Sequence, residues 1–575
     1  MVEYHLSLYQ PSRHRLKVTV TLPCPDDETT LYIAAWRPGR YEEGNFASLI
    51  SHVQGFDQNN QRVQITKIGK NEWLADTRAR DFITLSYLYY GSVLTAGNTF
   101  IDESKLLINP VNVLIYNKYI FDKTIRLSLD LPDEWKVCGL EHQENTTVFN
   151  GIDRLFDSPF LAAPGIKTNE YTVNGKRFFI HHWGNHSLDM AKLIKDFEAF
   201  TVSQIQAFGS FPVDVFSFLL IGTNTHYLHG VEHLNNTIIV LGPTDAWHSS
   251  RYLDLLHVAS HELYHVWNVK SIRPADLLPY RFQEINYSRL GYVYEGITTY
   301  MGDYHLLKSK VITTEEYLVL FSALVQNHID NPGRYSMSLG DSSIDTWVDG
   351  YVQGTPGKKV SIYNEGALIA FYIDYRIRAA TQNKRSLHTF MQQLYQEFGN
   401  GIKGYEEEDL LRILMDLSGI DFRPFFETYI HAANGYETLL TEAFEYFGIS
   451  YKPVENPILS ERELGLKAHR VQGSVFIHAI APGGPSDLGG LAEKDEIVSV
   501  NGLELNQPIE EILRNRIENE VTIGIRRQGM NKEITLPVMQ KTFFPRVTLT
   551  LTDTETHQIH KNRAHFGLQT TQQID

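Results

Sequence analysis

The chain has 575 residues, 42% hydrophobic and 21% charged, a balance that suits a soluble globular protein and excludes a disordered one. A formal net charge of −16 argues against nucleic acid and anionic membrane as partners. No apolar run reaches the roughly eighteen residues of a membrane span. The N-terminal residues Met1–Leu8 have no basic segment followed by an apolar core, so no signal peptide is expected and the chain reads as cytoplasmic.

The length accommodates three or four domains. Cys24 and Cys138 are the two cysteines, in neither metal nor redox spacing. Residues 1–165 alternate in the strand period: Tyr4–Tyr9, Leu16–Leu22, Thr30–Ala34, Phe82–Leu88 and Ile125–Leu129 are short runs bounded by Pro, Gly and Asp clusters. They predict an N-terminal antiparallel β-sandwich. From residue 166 the pattern changes. Asp189–Phe208 has helical spacing of Met190, Leu193, Ile194, Phe197 and Phe200, and Val213–Gly222 reads as a strand. His229–Gly242 reads as a loop running into another strand. Its histidines and His226 read as solvated or hydrogen-bonded loop residues rather than a second metal site.

A Gly- and Pro-free stretch follows, with Ser249 or Ser250 as possible caps and Pro274 beyond its end. Within it lies His261-Glu262-Leu263-Tyr264-His265, the HExxH pattern of zinc peptidases. Positions four apart return to one helical face, so both imidazoles can address one metal. Glu262 projects about a quarter-turn away, within reach of a water beside that metal without being a ligand. A catalytic zinc takes three protein ligands and keeps one position open. Glu295, in Gly291-Tyr-Val-Tyr-Glu-Gly296 at the head of a helical run, is the candidate third ligand.

The segment His261–Pro274 and the later Tyr294-Glu-Gly-Ile-Thr-Thr-Tyr-Met-Gly302 resemble the glycyl aminopeptidase family of gluzincin metallopeptidases, which carries Trp-Asn after HExxH, then Arg-Pro, then Glu-Gly at this long interval. The resemblance implies a thermolysin-like α/β catalytic domain with a helical part, and one Zn2+ held by His261, His265 and Glu295. Trp36-Arg-Pro-Gly-Arg-Tyr41 resembles a turn in the family's N-terminal domain, where a packing and substrate-shaping role is expected. Gly230-Val-Glu232-His233 is similar to the exopeptidase motif of these enzymes. It implies that Glu232 pairs with the substrate's α-ammonium, while Gly230 lets the backbone approach the substrate. Ser361-Ile-Tyr363-Asn-Glu-Gly366 resembles the segment whose tyrosine donates to the developing oxyanion, with Glu365 standing where lysine is usual. Asp303 is a candidate acceptor behind the imidazoles.

Residues 305–445 read mainly as helices, at Thr314–Val325, Gly366–Ala380, Leu387–Phe398 and Glu407–Leu417. Residues 446–459 read as a proline-containing linker. Residues 460–542 resemble a PDZ domain, with Glu463–Leu466 as the loop that would capture a peptide C-terminus. Residues 543–575 form a tail. The organisation expected is thus a multidomain α+β chain: sandwich (1–165), catalytic domain (166–445), linker, PDZ-like domain and tail. The function implied is a zinc aminopeptidase acting on peptides with a free N-terminus and favouring Gly or another small first residue. A zinc endopeptidase assisted by the PDZ-like domain, another zinc hydrolase, and a non-catalytic peptide-binding scaffold stay open.

Overall fold

The computed structural model describes residues 2–141, 145–247, 251–352, 354–505, 508–515, 519–539, 541–553 and 556–569. The chain divides into two compact units, residues 1–312 with 343–352 and 377–422, and residues 313–342 with 353–376 and 423–575.

In the first unit the strand-period runs become strands. A seven-stranded sheet contains Val2–Leu8, Arg15–Pro23 and Phe82–Tyr90, whose alternating residues Tyr4, Leu6, Val18, Val20, Leu85 and Tyr87 are buried. The sandwich departs from the purely antiparallel expectation at one pair. Val2–Leu8 runs parallel to Thr124–Asp130, because these strands lie more than a hundred residues apart and are not joined by a hairpin.

Residues 167–242 build a five-stranded sheet: β1 (Lys167–Val173), β2 (Lys176–Trp183), β3 (Val215–Gly222), β4 (Tyr227–Glu232) and β5 (Asn236–Gly242). Their order is β1-β2-β3-β5-β4, with β2, β3 and β5 parallel and β4 antiparallel at the edge. Helix α1 (Met190–Phe208) links β2 to β3, and its cap is Asp189, which accepts from the N–H groups of Ala191 (3.0 Å) and Lys192 (3.1 Å). The stretch expected as a loop before the last strand is therefore itself strand β4. That strand forms the edge of the sheet. Helices α2 (Tyr252–Tyr264) and α3 (Ile297–Lys308) follow. The caps expected at Ser249 or Ser250 lie outside the described residues.

In the second unit, helices Thr314–Asp330, Asn364–Thr381 (to residue 376) and Glu437–Phe447 gather Phe321, Phe371, Phe444, Phe447 and Phe566 into one aromatic core. These helices group with the C-terminal part, whereas Leu387–Phe398 and Glu407–Ser418 group with the first unit. The presumed linker is not free chain. Its strand Ile449–Val454 pairs antiparallel with Arg546–Leu551 of the tail. The tail strand is in turn bound to the first helix of the unit, where Gln326 Oε1 accepts from Val547 N (2.9 Å) and Ser322 Oγ from Leu549 N (3.1 Å).

Between these strands lies a sheet in the order Leu466–Val471, Ser474–Ile480, Glu496–Val500, Glu520–Arg527, Met530–Pro537, around a core that includes Leu466, Ile477, Val500, Ile523 and Leu536. The loop expected to capture a peptide C-terminus is covered by the chain itself. Phe543 N donates to Arg462 O (2.9 Å), and a Cβ built on Gly465 would lie 3.5 Å from Phe543 Cγ. Glu365, the departure at the tyrosine segment, is buried and paired with His328 Nδ1 at 2.6 Å, a packing role that explains a carboxylate there.

Candidate active site

Helix α2 ends at Tyr264. His261 therefore lies in its last turn and His265 just beyond, where the chain tightens through Val266 and Trp267. The spacing still brings the rings together, with their Nε2 atoms 3.0 Å apart. His265 Nδ1 donates to the carbonyl of Asn268 (2.7 Å), which fixes the tautomer and leaves Nε2 free to ligate. The Asn268 amide in turn donates to Val293 O (2.9 Å) and Thr298 Oγ1 (3.1 Å), tying this turn to the start of α3.

That start is a π-helical turn, Tyr292–Gly296, of the kind that re-aims a side chain inside a helix. Glu295 sits in it, with Oε2 3.6 Å from His261 Nε2 and 3.3 Å from His265 Nε2. Helices α2 and α3 can approach closely because residue 302 is glycine. A Cβ there would come within 3.1 Å of the His261 backbone, and Ser260 Oγ donates to Gly302 O across the contact (2.7 Å). The three ligand atoms thus form a triangle with edges of 3.0, 3.3 and 3.6 Å. Tetrahedral zinc with bonds of about 2.0–2.1 Å requires edges of about 3.3–3.4 Å, so two imidazoles and a carboxylate in this arrangement suit the ion in donor type and spacing.

The charges around the triangle are arranged for a cation. Burial pushes His261 down to about 4. Burial also opposes charge on His265, but the Glu295 carboxylate outweighs it and lifts that ring to about 10. Glu295 is itself held near 2, His265 prevailing over burial. Glu262, 5% exposed, has its carboxyl raised well above the usual range by burial, with Glu232 and Glu295 adding to the effect against His265; its Oε2 has no hydrogen-bond partner.

Glu232 closes the edge strand β4 and is 3% exposed, so it is not a surface-loop carboxylate; its Oε1 is without a partner. One ligand-type atom each from Glu232, Glu262 and His265 lie within 4.8 Å of one another. Gly230 also has a packing role. A Cβ there would lie 2.2 Å from Glu262 Oε1 and 2.7 Å from Val258 Cγ2, so the missing side chain makes room for Glu262. From the N-terminal domain, Gly39 (φ +79°) presses on the same cluster, since its Cβ would fall inside contact distance of Glu232 Oε2. Neither contact had a signal in the sequence beyond the glycines themselves.

The residues after Glu232 are anchored by a buried charge cluster that sequence reasoning missed. Asp157 Oδ1 lies 3.0 Å from His233 Nδ1 and 2.6 Å from Lys270 Nζ, and Asp157 Oδ2 accepts from Leu234 N (3.0 Å). Lys270 and His233 hold the Asp157 carboxyl far below the usual range despite its burial. His233 is thereby a structural partner of Asp157 through Nδ1. Removing one partner of such a cluster leaves a charge buried and unpaired, so Asp157→Ala is expected to destabilise the protein by about 3–5 kcal/mol in urea unfolding, with Asp157→Asn losing less. A loss below 1 kcal/mol for the alanine variant would deny the cluster this anchoring role.

Asp303 pairs with His257 Nδ1 (2.5 Å), and the acceptor behind His265 is the Asn268 carbonyl instead. Tyr363 belongs to the second unit, half-buried and one residue ahead of helix Asn364–Thr381.

Residues 254–369 match the family model described as M61 glycyl aminopeptidase, and residues 3–164 match that of the peptidase M61 N-terminal domain. Among curated proteins none matches this sequence. The fold is that of an aminopeptidase N family protein from Idiomarina loihiensis, at 23% identity and a TM-score of 0.90 over 98% of this chain and 100% of that one. An M1 zinc metallopeptidase from Deinococcus radiodurans, crystallised as an E323A mutant with a Tyr-Ser-Ala substrate, is 14% identical over 75% of this chain and 94% of its own, at a TM-score of 0.45. Yeast LTA4 hydrolase is 12% identical over 75% of this chain and 67% of its own, at the same TM-score of 0.45. Both lie too far off to inform the reading. The two family matches flank and include the HExxH segment and Glu295, and they make this chain similar to the peptidases of the M61 glycyl aminopeptidase family.

Proposed function

We propose that the protein is a zinc aminopeptidase, with His261, His265 and Glu295 as the ligands of one Zn2+ and peptides with a free N-terminus as substrates. The observation that carries the reading is the clustering of Glu232 and Glu262 with His265 inside 4.8 Å. In one amino-acid residue the α-nitrogen and the carbonyl carbon are two bonds apart. An ammonium held by Glu232 therefore leaves room for a single residue before the bond that reaches the metal.

When bound, zinc supplies Lewis acidity, lowering the pKa of water towards neutrality and polarising the scissile carbonyl. Glu262 is the proton carrier. Its unpartnered oxygen would receive the proton of the attacking water and return it to the leaving amine. Glu232 binds the α-ammonium through its unpartnered oxygen and sets the register at the first bond. Tyr363 is proposed as the hydroxyl donor to the oxyanion, on the resemblance of its segment alone. A preference for Gly or another small first residue is proposed on the family match together with the close packing of Gly39 against Glu232. Residues 460–542 are proposed as a PDZ-like domain that packs on its own chain, given Phe543 on its Glu463–Leu466 loop.

A mixture of ten-residue peptides digested and followed by mass spectrometry tests the reading. Successive products shortened by one N-terminal residue are expected, and internal fragments would indicate the endopeptidase. Glu232→Ala is expected to raise KM about 10- to 100-fold for peptides with free amines, the worth of one charged hydrogen bond. An equal loss on amine-blocked peptides would remove Glu232 from amine recognition.

A further inference from the structure

The turn Trp36–Tyr41 carries a charge that peptide hydrolysis as described does not use. The turn is held rigidly. Trp36 Nε1 donates to Arg281 O (3.1 Å), its ring packs edge-on to Tyr280 and Trp347, and Tyr41 packs on Tyr294 beside Glu295. Its two arginines differ in how they are satisfied. Arg40 pairs with Glu42 and lies over the Tyr351 ring at 4.8 Å. Arg37 is 4% exposed, and the one hydrogen bond of its guanidinium among the described residues runs from Nη1 to the carbonyl of its own neighbour Pro38 (3.3 Å). No described carboxylate forms an ion pair with it. Burial, with Arg40 nearby, pushes the guanidinium down to about 10, while the Glu232 and Glu42 carboxylates act in the opposite direction without forming an ion pair with it, so its fork of donors stays open to a carboxylate.

The surroundings locate this unpaired charge at the substrate end of the site. Arg37 is rooted two residues from Gly39, the glycine that touches Glu232. The guanidinium lies flat on Gly97, where a Cβ would collide with Nη2. The neighbours of Gly97 in that loop, Leu94 and Ala96, pack with Tyr227 and Val231 of β4. On the same strand His229 has a buried Nδ1 without a partner, and burial together with Arg37 and Arg40 keeps its ring neutral, down to about 3. A peptide whose ammonium sits at Glu232 and whose backbone follows the edge of β4 runs towards His229. At about 3.3–3.4 Å per residue, the three steps from Glu232 to His229 span about 10 Å, the length of a tripeptide.

We propose that Arg37 receives a carboxylate of the substrate, with the His229 ring beside it, so that short peptides bearing a carboxylate near their N-terminus are the preferred substrates. The proposal rests on the aminopeptidase reading above. The carboxylate comes either from the C-terminus of a tripeptide-sized substrate or from an acidic side chain, and Arg37 is suited to both because its planar fork matches a carboxylate with two parallel hydrogen bonds.

The test is kcat/KM of the zinc-loaded full chain for Ala-Ala-Ala, for its C-terminal amide, and for the amide Ala-Asp-Ala-NH2. At least one carboxylate-bearing peptide is expected to exceed the neutral amide by about tenfold or more. A preference for the free acid identifies the C-terminus as the ligand, and a preference for the Asp amide identifies the side chain. In Arg37→Met the ratio is expected to fall towards one, and in Arg37→Lys to recover in part, with thermal unfolding confirming that both variants are folded. Equal cleavage of all three peptides by the wild-type protein, or a preference that survives in Arg37→Met, would overturn the proposal. Failure to cleave any of them, the neutral amide included, would count against the aminopeptidase reading itself and remove this proposal with it.

Discussion

Replacing Glu262 by glutamine is expected to lower kcat by about 10²- to 10⁴-fold while the protein keeps its zinc. Glutamine preserves the volume and can still touch Gly230, but it cannot accept and return a proton. The geometry separates the two roles. Glu295 Oε2 lies 3.3 and 3.6 Å from the two imidazole nitrogens, whereas Glu262 has an oxygen with no partner and an environment that favours its protonated form. Metal analysis and steady-state kinetics on the same preparation check the prediction. Loss of zinc along with turnover would make Glu262 a ligand.

Replacing His265 by alanine is expected to remove both zinc and activity, and to abolish the stabilisation that zinc confers. In the wild-type protein a metal concentration a thousandfold above Kd should add about 4 kcal/mol to the folded state. Its removal by a chelator should lower the melting temperature accordingly. Of the three proposed ligands, His265 is the one on which the site would depend most. Its ring is oriented by the Asn268 carbonyl, and it lies close to Glu232, Glu262 and Glu295 together. Without that imidazole three buried carboxylates face one another with little to offset them. Unfolding by differential scanning fluorimetry, with and without zinc, reads the effect directly. A zinc-dependent rise in melting temperature that persists in His265→Ala would place the metal elsewhere.

The parts of this protein that were legible in the sequence are those whose signal is local. Alternation identified the strands of residues 1–165, helical spacing identified α1, and two histidines four residues apart marked the candidate metal pair. The parts that were not legible depend on contacts between distant residues. Strand β4 reads as a loop because its glycine and histidines carry no strand pattern, and what makes it a strand is pairing with β5. The presumed linker became a strand through pairing with residues about a hundred positions later. Gly230 and Gly39 are visible as glycines, yet the carboxylates that would collide with a side chain there belong to other segments. Likewise, no spacing announces that Asp157, His233 and Lys270 meet in one buried cluster.

The most direct test of the account is the hydrolysis of a fluorogenic glycine or alanine amide by the zinc-loaded protein, first with its amine free and then acetylated. Cleavage of the free form alone is predicted, because Glu232 requires an ammonium one residue from the metal. Equal cleavage of the acetylated form would contradict the account, leaving Glu232 without its role and the enzyme an endopeptidase.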